Sequence, residues 1–85
     1  MFNGVITEVN GNSIVVEKYD HKKGVAYSST DPIYPTGEIY QMNWTGKTYT
    51  VGDKVTVYYT GEVMETFPAQ IETYKITIND FPTED

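Results

Sequence analysis

Residues able to act as a base or a nucleophile are few and scattered in this 85-residue chain. His21 is the single histidine and lies beside Asp20 and two lysines in a polar stretch typical of a turn, so we interpret it as a solvated loop residue. The hydroxyl side chains at 28–30 lie near Asp31 but have no base beside them. Nucleophilic catalysis needs an activated nucleophile. The sequence therefore predicts a protein that is not an enzyme.

Two further patterns resemble known sites but lack essential parts. Residues 46–48 read Gly-Lys-Thr like the end of a phosphate-binding P-loop, but position 41 is Gln where that motif has Gly, and no long helix follows. Asp53, Glu62 and Glu65 flank turns, where a hydrolase or a calcium site could use them. The calcium-loop spacing is absent, and there is no cysteine. Acidic residues at strand edges also resist aggregation, so we predict no metal and no cofactor.

The charge balance excludes several classes of partner. Twelve Asp and Glu oppose six Lys, Arg is absent, and the net charge is −6. Nucleic-acid domains usually carry a basic stripe rich in Arg, and anionic membrane surfaces also attract basic residues. The longest wholly apolar run is residues 14–16, much shorter than the roughly 20 residues of a spanning helix. We therefore predict neither nucleic-acid binding nor direct insertion into a membrane.

Aromatic residues make up 14% of the chain, and several of them fall in the Pro- and Gly-rich segment at 31–50. Tyr and Trp on a loop can stack on sugars or peptide groups with little loss of entropy. Large rings can equally plug the mouth of a small barrel, and the thin core of a short chain favours that interpretation. The candidate ligand-binding residues are Tyr34, Tyr40, Trp44 and Tyr49.

The elements that must position these side chains begin with a β-hairpin. Asn-Gly at 10–11 is a strong signal for a two-residue turn. With that loop Val5 lies opposite Val16, whereas a three-residue loop would place Val5 opposite Glu17. Pairing apolar with apolar residues favours the first register. It predicts a core face made of Val5, Val9, Ile14 and Val16.

Further strands follow, without any helical periodicity. We predict a third strand at 25–29, an irregular segment that includes a short strand at 38–42, and strands at 54–59 and 71–79. The alternation of the last two strands predicts inward side chains at Val55, Val57, Tyr59, Tyr74, Ile76 and Ile78.

This pattern predicts an all-β fold, a small five-stranded Greek-key barrel that is OB-fold-like. The alternative is an SH3-like barrel, which would show a similar number of strands. We expect a single barrel domain at 1–79, followed by an acidic C-terminal tail at 80–85 that is frayed.

Three segments share a common pattern: Gly-Val-Ile-Thr-Glu-Val at 4–9, Gly-Asp-Lys-Val-Thr-Val at 52–57 and Glu-Thr-Phe-Pro-Ala-Gln-Ile at 65–71. Together they resemble the YobA-like family of small lipoproteins and secreted domains of Gram-positive bacteria, whose function is unknown. The likeness covers a little over half of the chain, and residues 31–49 depart from it. We expect Pro68 and Ala69 to form a tight corner and Gln70 to hydrogen-bond nearby backbone groups.

The resemblance implies an OB-like barrel placed outside the cytoplasmic membrane, secreted or lipid-anchored, with the leader absent from this chain. It implies no catalytic residue. We therefore expect a binding module for an envelope glycan or peptide that uses the four aromatic residues. The alternative is a structural or protein-interaction domain with no small-molecule ligand, whose unpaired strand edges recruit a protein partner.

Overall fold

The computed structural model describes residues 1–84 and contains five strands. They are β1 (Phe2–Asn10), β2 (Ser13–Asp20), β3 (Tyr34–Asn43), β4 (Lys54–Met64) and β5 (Ala69–Ile78). Neighbouring strands pair in the order β1-β2-β3-β5-β4, and β4 pairs with β1 to close the barrel. The described chain has no helix that could cross a membrane. The predicted all-β class and small five-stranded barrel are confirmed.

The strand order is that of a Greek key rather than a simple meander. β5 lies between β4 and β3, and it runs parallel to β3 while the other neighbours are antiparallel. The parallel pairing is short and joins only Tyr40 to Ala69 and Gln41 to Gln70. Of the two barrels predicted, this order favours the OB-like one.

The core is built from alternate residues of all five strands. Val55 and Val57 on β4 are fully buried and Tyr59 packs against the same cluster, which confirms the predicted face of that strand. Burying an apolar side chain of this size contributes about 1.5–3 kcal/mol. The other core residues are Phe2, Ile6, Ile14, Val16, Met42, Tyr49, Ile71 and Ile76.

The turn of the first hairpin is shifted by one residue from its predicted position. Asn10 pairs with Ser13, so the two loop residues are Gly11 and Asn12 rather than Asn10 and Gly11. Gly11 has a φ of +54°, a left-handed conformation that Gly adopts without steric cost. The hairpin is confirmed, but its predicted turn is wrong.

A bulge at Thr7 then changes the pairing along the rest of this hairpin. Glu8 pairs with Val15, but the next pair is Ile6 with Val16, so Thr7 is an extra residue. Val5 consequently lies opposite Glu17, the pairing that a three-residue loop would also produce. The predicted core face is therefore wrong at two of its four members: Val5 is only half-buried and Val9 is 37% exposed.

The connection from β2 to β3 differs from its prediction. Residues 25–29 are exposed and form no strand, whereas the short strand predicted at 38–42 is part of the ten-residue strand β3. β3 accommodates Pro35 and Gly37 because its register with β2 shifts between Glu17 and Tyr19. Gly37 has a φ of +82° there. Gly37 lies within this bulge, and Pro35 pairs with Tyr19 beside it.

A third register shift, between β4 and β5, accounts for the outward side chain of Tyr74. Tyr58 pairs with Lys75 and Tyr59 with Thr73, so Tyr74 is unpaired and 63% exposed. Ile76 is buried as predicted, whereas Ile78, beyond it, is 53% exposed. The predicted inward positions of Tyr74 and Ile78 are wrong, because alternation does not continue across a bulge or to the end of a barrel.

The C-terminal residues pack on the barrel. Phe81 is buried, and its carbonyl accepts a hydrogen bond of 2.9 Å from Lys54 Nζ. Ile33 forms a parallel bridge with Thr83, and its carbonyl accepts a hydrogen bond from Glu84 N–H. The predicted fraying of the tail is therefore wrong as far as Glu84, while Asp85, which that prediction also covered, lies outside the described residues.

Candidate functional site

Tyr49, one of the four predicted binding residues, is part of the core. Its ring is 5% exposed and its hydroxyl donates a hydrogen bond of 3.0 Å to the Ile76 carbonyl. Burial raises the pKa of Tyr49, and the charge of Asp53 raises it further. This placement matches the plug interpretation and leaves the ring little surface for a ligand.

Trp44 follows β3 and closes the end of the barrel near the first hairpin. Its indole is half-buried against the core cluster, and its backbone N–H donates a 2.7 Å hydrogen bond to the Asn12 carbonyl. The indole Nε1 is buried without a hydrogen-bond partner among the described residues. Trp44 therefore also serves packing.

Tyr34 is the first residue of the strand β3, and Tyr40 lies in the second half of the same strand. Lys22 Nζ lies 5.2 Å from the centroid of the Tyr34 ring, in a cation–π contact. The ring of Tyr40 packs on that of Phe2, with 4.7 Å between their centroids. The structure therefore does not gather the four predicted residues in one site: Tyr34 borders open depressions beside His21 and Lys22, whereas Tyr40 lines a separate groove.

This groove, which we call the β3 groove, has a volume of about 320 Å³. One wall is formed by residues 37–40 of β3, and the turn between β4 and β5 forms the other. Phe67, at the tip of this turn, is 84% exposed. The residues of the second wall are Val63, Glu65, Thr66, Phe67 and Ala69.

Hydrogen bonding and packing fix the orientation of Tyr40 beside the β3 groove. Its hydroxyl donates a hydrogen bond of 3.1 Å to Glu38 Oε1. Burial, this hydrogen bond and the charges of Glu38, Tyr59 and Glu65 raise the pKa of Tyr40 to about 12. The phenol is therefore neutral at physiological pH, and it remains a hydrogen-bond donor.

The rim of the β3 groove is acidic. Lys18 Nζ approaches Glu38 Oε2 at 3.9 Å. Glu17 Oε2 accepts a 3.3 Å hydrogen bond from Gly37 N–H. Glu65 is exposed and has no ion pair with any residue in 1–84. Two carboxylates, those of Glu38 and Glu65, thus line a mainly apolar cleft, and Glu17 and Lys18 contact its β3 wall.

A family model described as "Protein of unknown function (DUF3221)" matches residues 3–80, which include the strands β2 to β5 and all of β1 except Phe2. The chain belongs to the DUF3221 family. That description gives no activity, ligand or localisation. No curated protein and no solved structure matches the chain.

The histidine of this DUF3221 domain is held by ring stacking. The rings of His21 and Tyr27 are nearly parallel, with their centroids 3.6 Å apart, and the His21 backbone N–H donates to Asp20 Oδ1 at 2.8 Å. Within residues 1–84, no three His, Cys, Asp or Glu side chains are grouped so as to hold a metal ion. The β3 groove combines the packed, hydrogen-bonded Tyr40 with the exposed ring of Phe67, and we take it as the candidate site.

Several residues of the β3 groove were missed by sequence reasoning, above all Phe67 and Val63. A signal was present, because Phe67 is a large apolar residue within the polar turn Glu-Thr-Phe-Pro at 65–68. Gln70, for which a structural hydrogen bond was predicted, has an exposed side chain with no hydrogen bond to a described residue. That prediction is wrong, and Gln70 contributes by pairing with Gln41 and Met64 in the sheet.

Proposed function

We propose that this DUF3221 domain is a non-enzymatic binding module that holds an envelope glycan or peptide in the β3 groove. The observation that carries the proposal is the position of Phe67, 84% exposed on the wall that faces Tyr40 across an open cleft. Phe67 shares this wall with Val63 and Ala69, and an open cleft lined by apolar side chains with a few polar groups favours a binding role. Burying the Phe67 ring on binding would contribute about 1.5–3 kcal/mol.

The opposite wall of the groove is already ordered, which favours binding. Tyr40 is packed on Phe2 and hydrogen-bonded to Glu38, so little entropy is lost when a ligand contacts it. The excess of acidic residues argues against nucleic acid as the ligand. Placement outside the cytoplasmic membrane, secreted or lipid-anchored, is supported by the resemblance of the segments at 4–9, 52–57 and 65–71 to small secreted domains.

A backbone amide NMR titration tests this proposal. Muropeptides, short glycans, short peptides and calcium are added in turn to the ¹⁵N-labelled domain. We expect one ligand class to shift the amides of 37–40 and 65–69, and Phe67→Ser to abolish those shifts. Tyr74→Ser is the matched control, because Tyr74 is exposed on β5 outside the β3 groove. A spectrum that none of these ligands moves contradicts the proposal.

A second candidate is a protein-interaction domain without a small-molecule ligand. The pairing of β3 with β5 is confined to Tyr40 and Gln41, so residues 34–39 have no strand neighbour on that side within the described chain. A partner strand could pair with this edge. Slowed amide exchange at 34–39 on mixing with a protein partner, with no response to glycans or short peptides, would favour this candidate.

A further inference from the structure

We propose that the β3 groove selects a basic peptide segment, in which a lysine or arginine lies next to an apolar residue. The cation would lie between Glu38 and Glu65, and the apolar side chain would pack on Phe67. This inference rests on the proposed binding function of the groove and specifies its ligand. The neutral glycan then becomes an alternative outcome of the test.

The charges bordering the groove favour a cation. Glu38 and Glu65 line its walls and Glu17 contacts Gly37, while Lys18 is the only ammonium within residues 1–84 that forms an ion pair with any of these carboxylates. Lys18 pairs with Glu38 at 3.9 Å, which leaves Glu65 without a described ion-pair partner. The effect of both Glu38 and Glu65 on the pKa of Tyr40 indicates that the two charges act on the same region of the groove. Anionic glycans would be repelled there.

The apolar surface of the groove favours a peptide over a sugar. Val63 and Phe67 supply carbon surface without any polar atom on their side chains. Lysine and arginine place their methylene stems along such surface while their charged ends reach carboxylates at its edge. A neutral sugar would instead leave Glu65 without a cationic partner. The combination of exposed carbon and unpaired carboxylate therefore matches a basic peptide.

Titration with matched peptides tests this selectivity. The probes are the acetylated and amidated peptide Gly-Lys-Leu-Lys-Gly, its analogues with Glu or Gln replacing both lysines, and chitotetraose as a neutral glycan. We expect the Lys peptide to shift the amides of 37–40 and 65–69, the Gln peptide to bind about fivefold more weakly, and the Glu peptide not to bind. Raising the NaCl concentration from about 0.05 to about 0.5 M should weaken the binding of the Lys peptide more than that of the other probes.

Charge variants of the domain provide the complementary experiment. The double variant Glu38→Gln/Glu65→Gln should bind the Lys peptide about fivefold more weakly. The control Glu62→Gln/Glu72→Gln removes the same charge from exposed residues that line a different depression, and it should bind almost as the wild type does. Equal binding of the Lys peptide to both double variants would overturn the basic-peptide inference.

The outcomes distinguish a failure of the basic-peptide inference from a failure of the proposed binding function. If chitotetraose shifts the groove amides and the Lys peptide does not, the basic-peptide inference is wrong and the binding module stands. If neither these probes nor the wider ligand panel moves any groove amide, the proposed binding function is contradicted as well.

Discussion

Tyr40 and Glu38 lie two residues apart on β3, and the Tyr40 hydroxyl donates a 3.1 Å hydrogen bond to Glu38 Oε1. Residues at this spacing share one face of a strand. The hydrogen bond holds the phenol at the edge of the β3 groove while Phe2 supports its ring from the core side. One side chain thus connects the core of the barrel with its candidate binding surface.

The raised pKa of Tyr40 predicts a dependence of stability on alkaline pH. In the unfolded chain the phenol has its ordinary pKa of 10.0, and in the folded protein about 12. The contribution of the neutral Tyr40 phenol to the free energy of unfolding is therefore fully present below pH 10 and is lost as pH rises through 12. The free energy of unfolding should fall with pH in this range by at most about 1.4 kcal/mol per pH unit. The fall is smaller than this limit because the ring is partly exposed.

Tyr40→Phe checks this expectation. Urea unfolding between pH 9 and pH 12 should show a smaller loss of stability in the variant than in the wild type. When the folded variant is titrated with base, its phenolate absorbance should lack the step at the highest pH that the wild type shows. Tyr74→Phe, which changes an exposed tyrosine on β5, should keep that step. Identical alkaline steps in wild type and Tyr40→Phe would contradict the assignment.

Gly4→Ala should destabilise the barrel by about 2–3 kcal/mol. Gly4 pairs with Lys18 on β2 and with Val55 on β4, and a Cβ there would lie 2.5 Å from the Glu17 carbonyl oxygen. The β1 backbone would have to move away from β2. Gly46→Ala is the matched control, because its Cβ would meet its nearest atom at 3.5 Å. Thermal unfolding of the two variants measures the difference, and equal midpoints would refute the clash.

Thr56→Val should cost about 1–2 kcal/mol in the free energy of unfolding. Thr56 is the buried polar residue of β4, and its hydroxyl donates to Asn3 Oδ1 at 2.7 Å and accepts from Asn79 Nδ2 at 2.8 Å. Removing the hydroxyl breaks a network that joins β1, β4 and Asn79, the residue that follows β5. Urea unfolding is the measurement, with Thr48→Val at an exposed site as control. Equal stability of the two variants would show that the network contributes nothing.

Phe81→Ala should lower the free energy of unfolding by about 2 kcal/mol, since the Phe81 ring is buried against the barrel. Lys54 Nζ lies 5.7 Å from the centroid of this ring and would lose that contact as well. Pro82→Ala, at the next and exposed position, should have a small effect. If Phe81→Ala unfolds with the wild-type midpoint, the packing of the C-terminal residues is refuted.

The sequence predicts the fold correctly in strands where apolar and polar residues alternate without interruption. Val55 and Val57 are fully buried as their spacing predicts. The first hairpin was recognised from its Gly turn, but its register was not, because the extra residue Thr7 leaves no local signal in an otherwise alternating strand. A bulge is specified by packing between strands, which pattern analysis does not include.

The candidate site was harder to predict than the barrel, because it is created by strand order. Tyr40 was named from composition, yet its neighbour across the groove, Phe67, is 27 positions further along the chain. The two approach because β5 inserts beside β3. Tyr49 and Trp44 were grouped with Tyr40 by proximity in sequence alone, and the folded chain directs both toward the core.

The parallel pairing of β3 with β5 is the shortest pairing of neighbouring strands in the barrel. Two residue pairs join these strands, whereas the antiparallel neighbours are joined by four or more. Because fewer backbone pairs join β3 and β5, we expect local opening between these two strands to need less free energy than global unfolding. The β3 groove lies directly beside this pairing. A ligand that contacts both Tyr40 and Phe67 would bridge β3 and the turn before β5. Its binding would therefore be expected to reduce local opening between these strands and to slow amide exchange there.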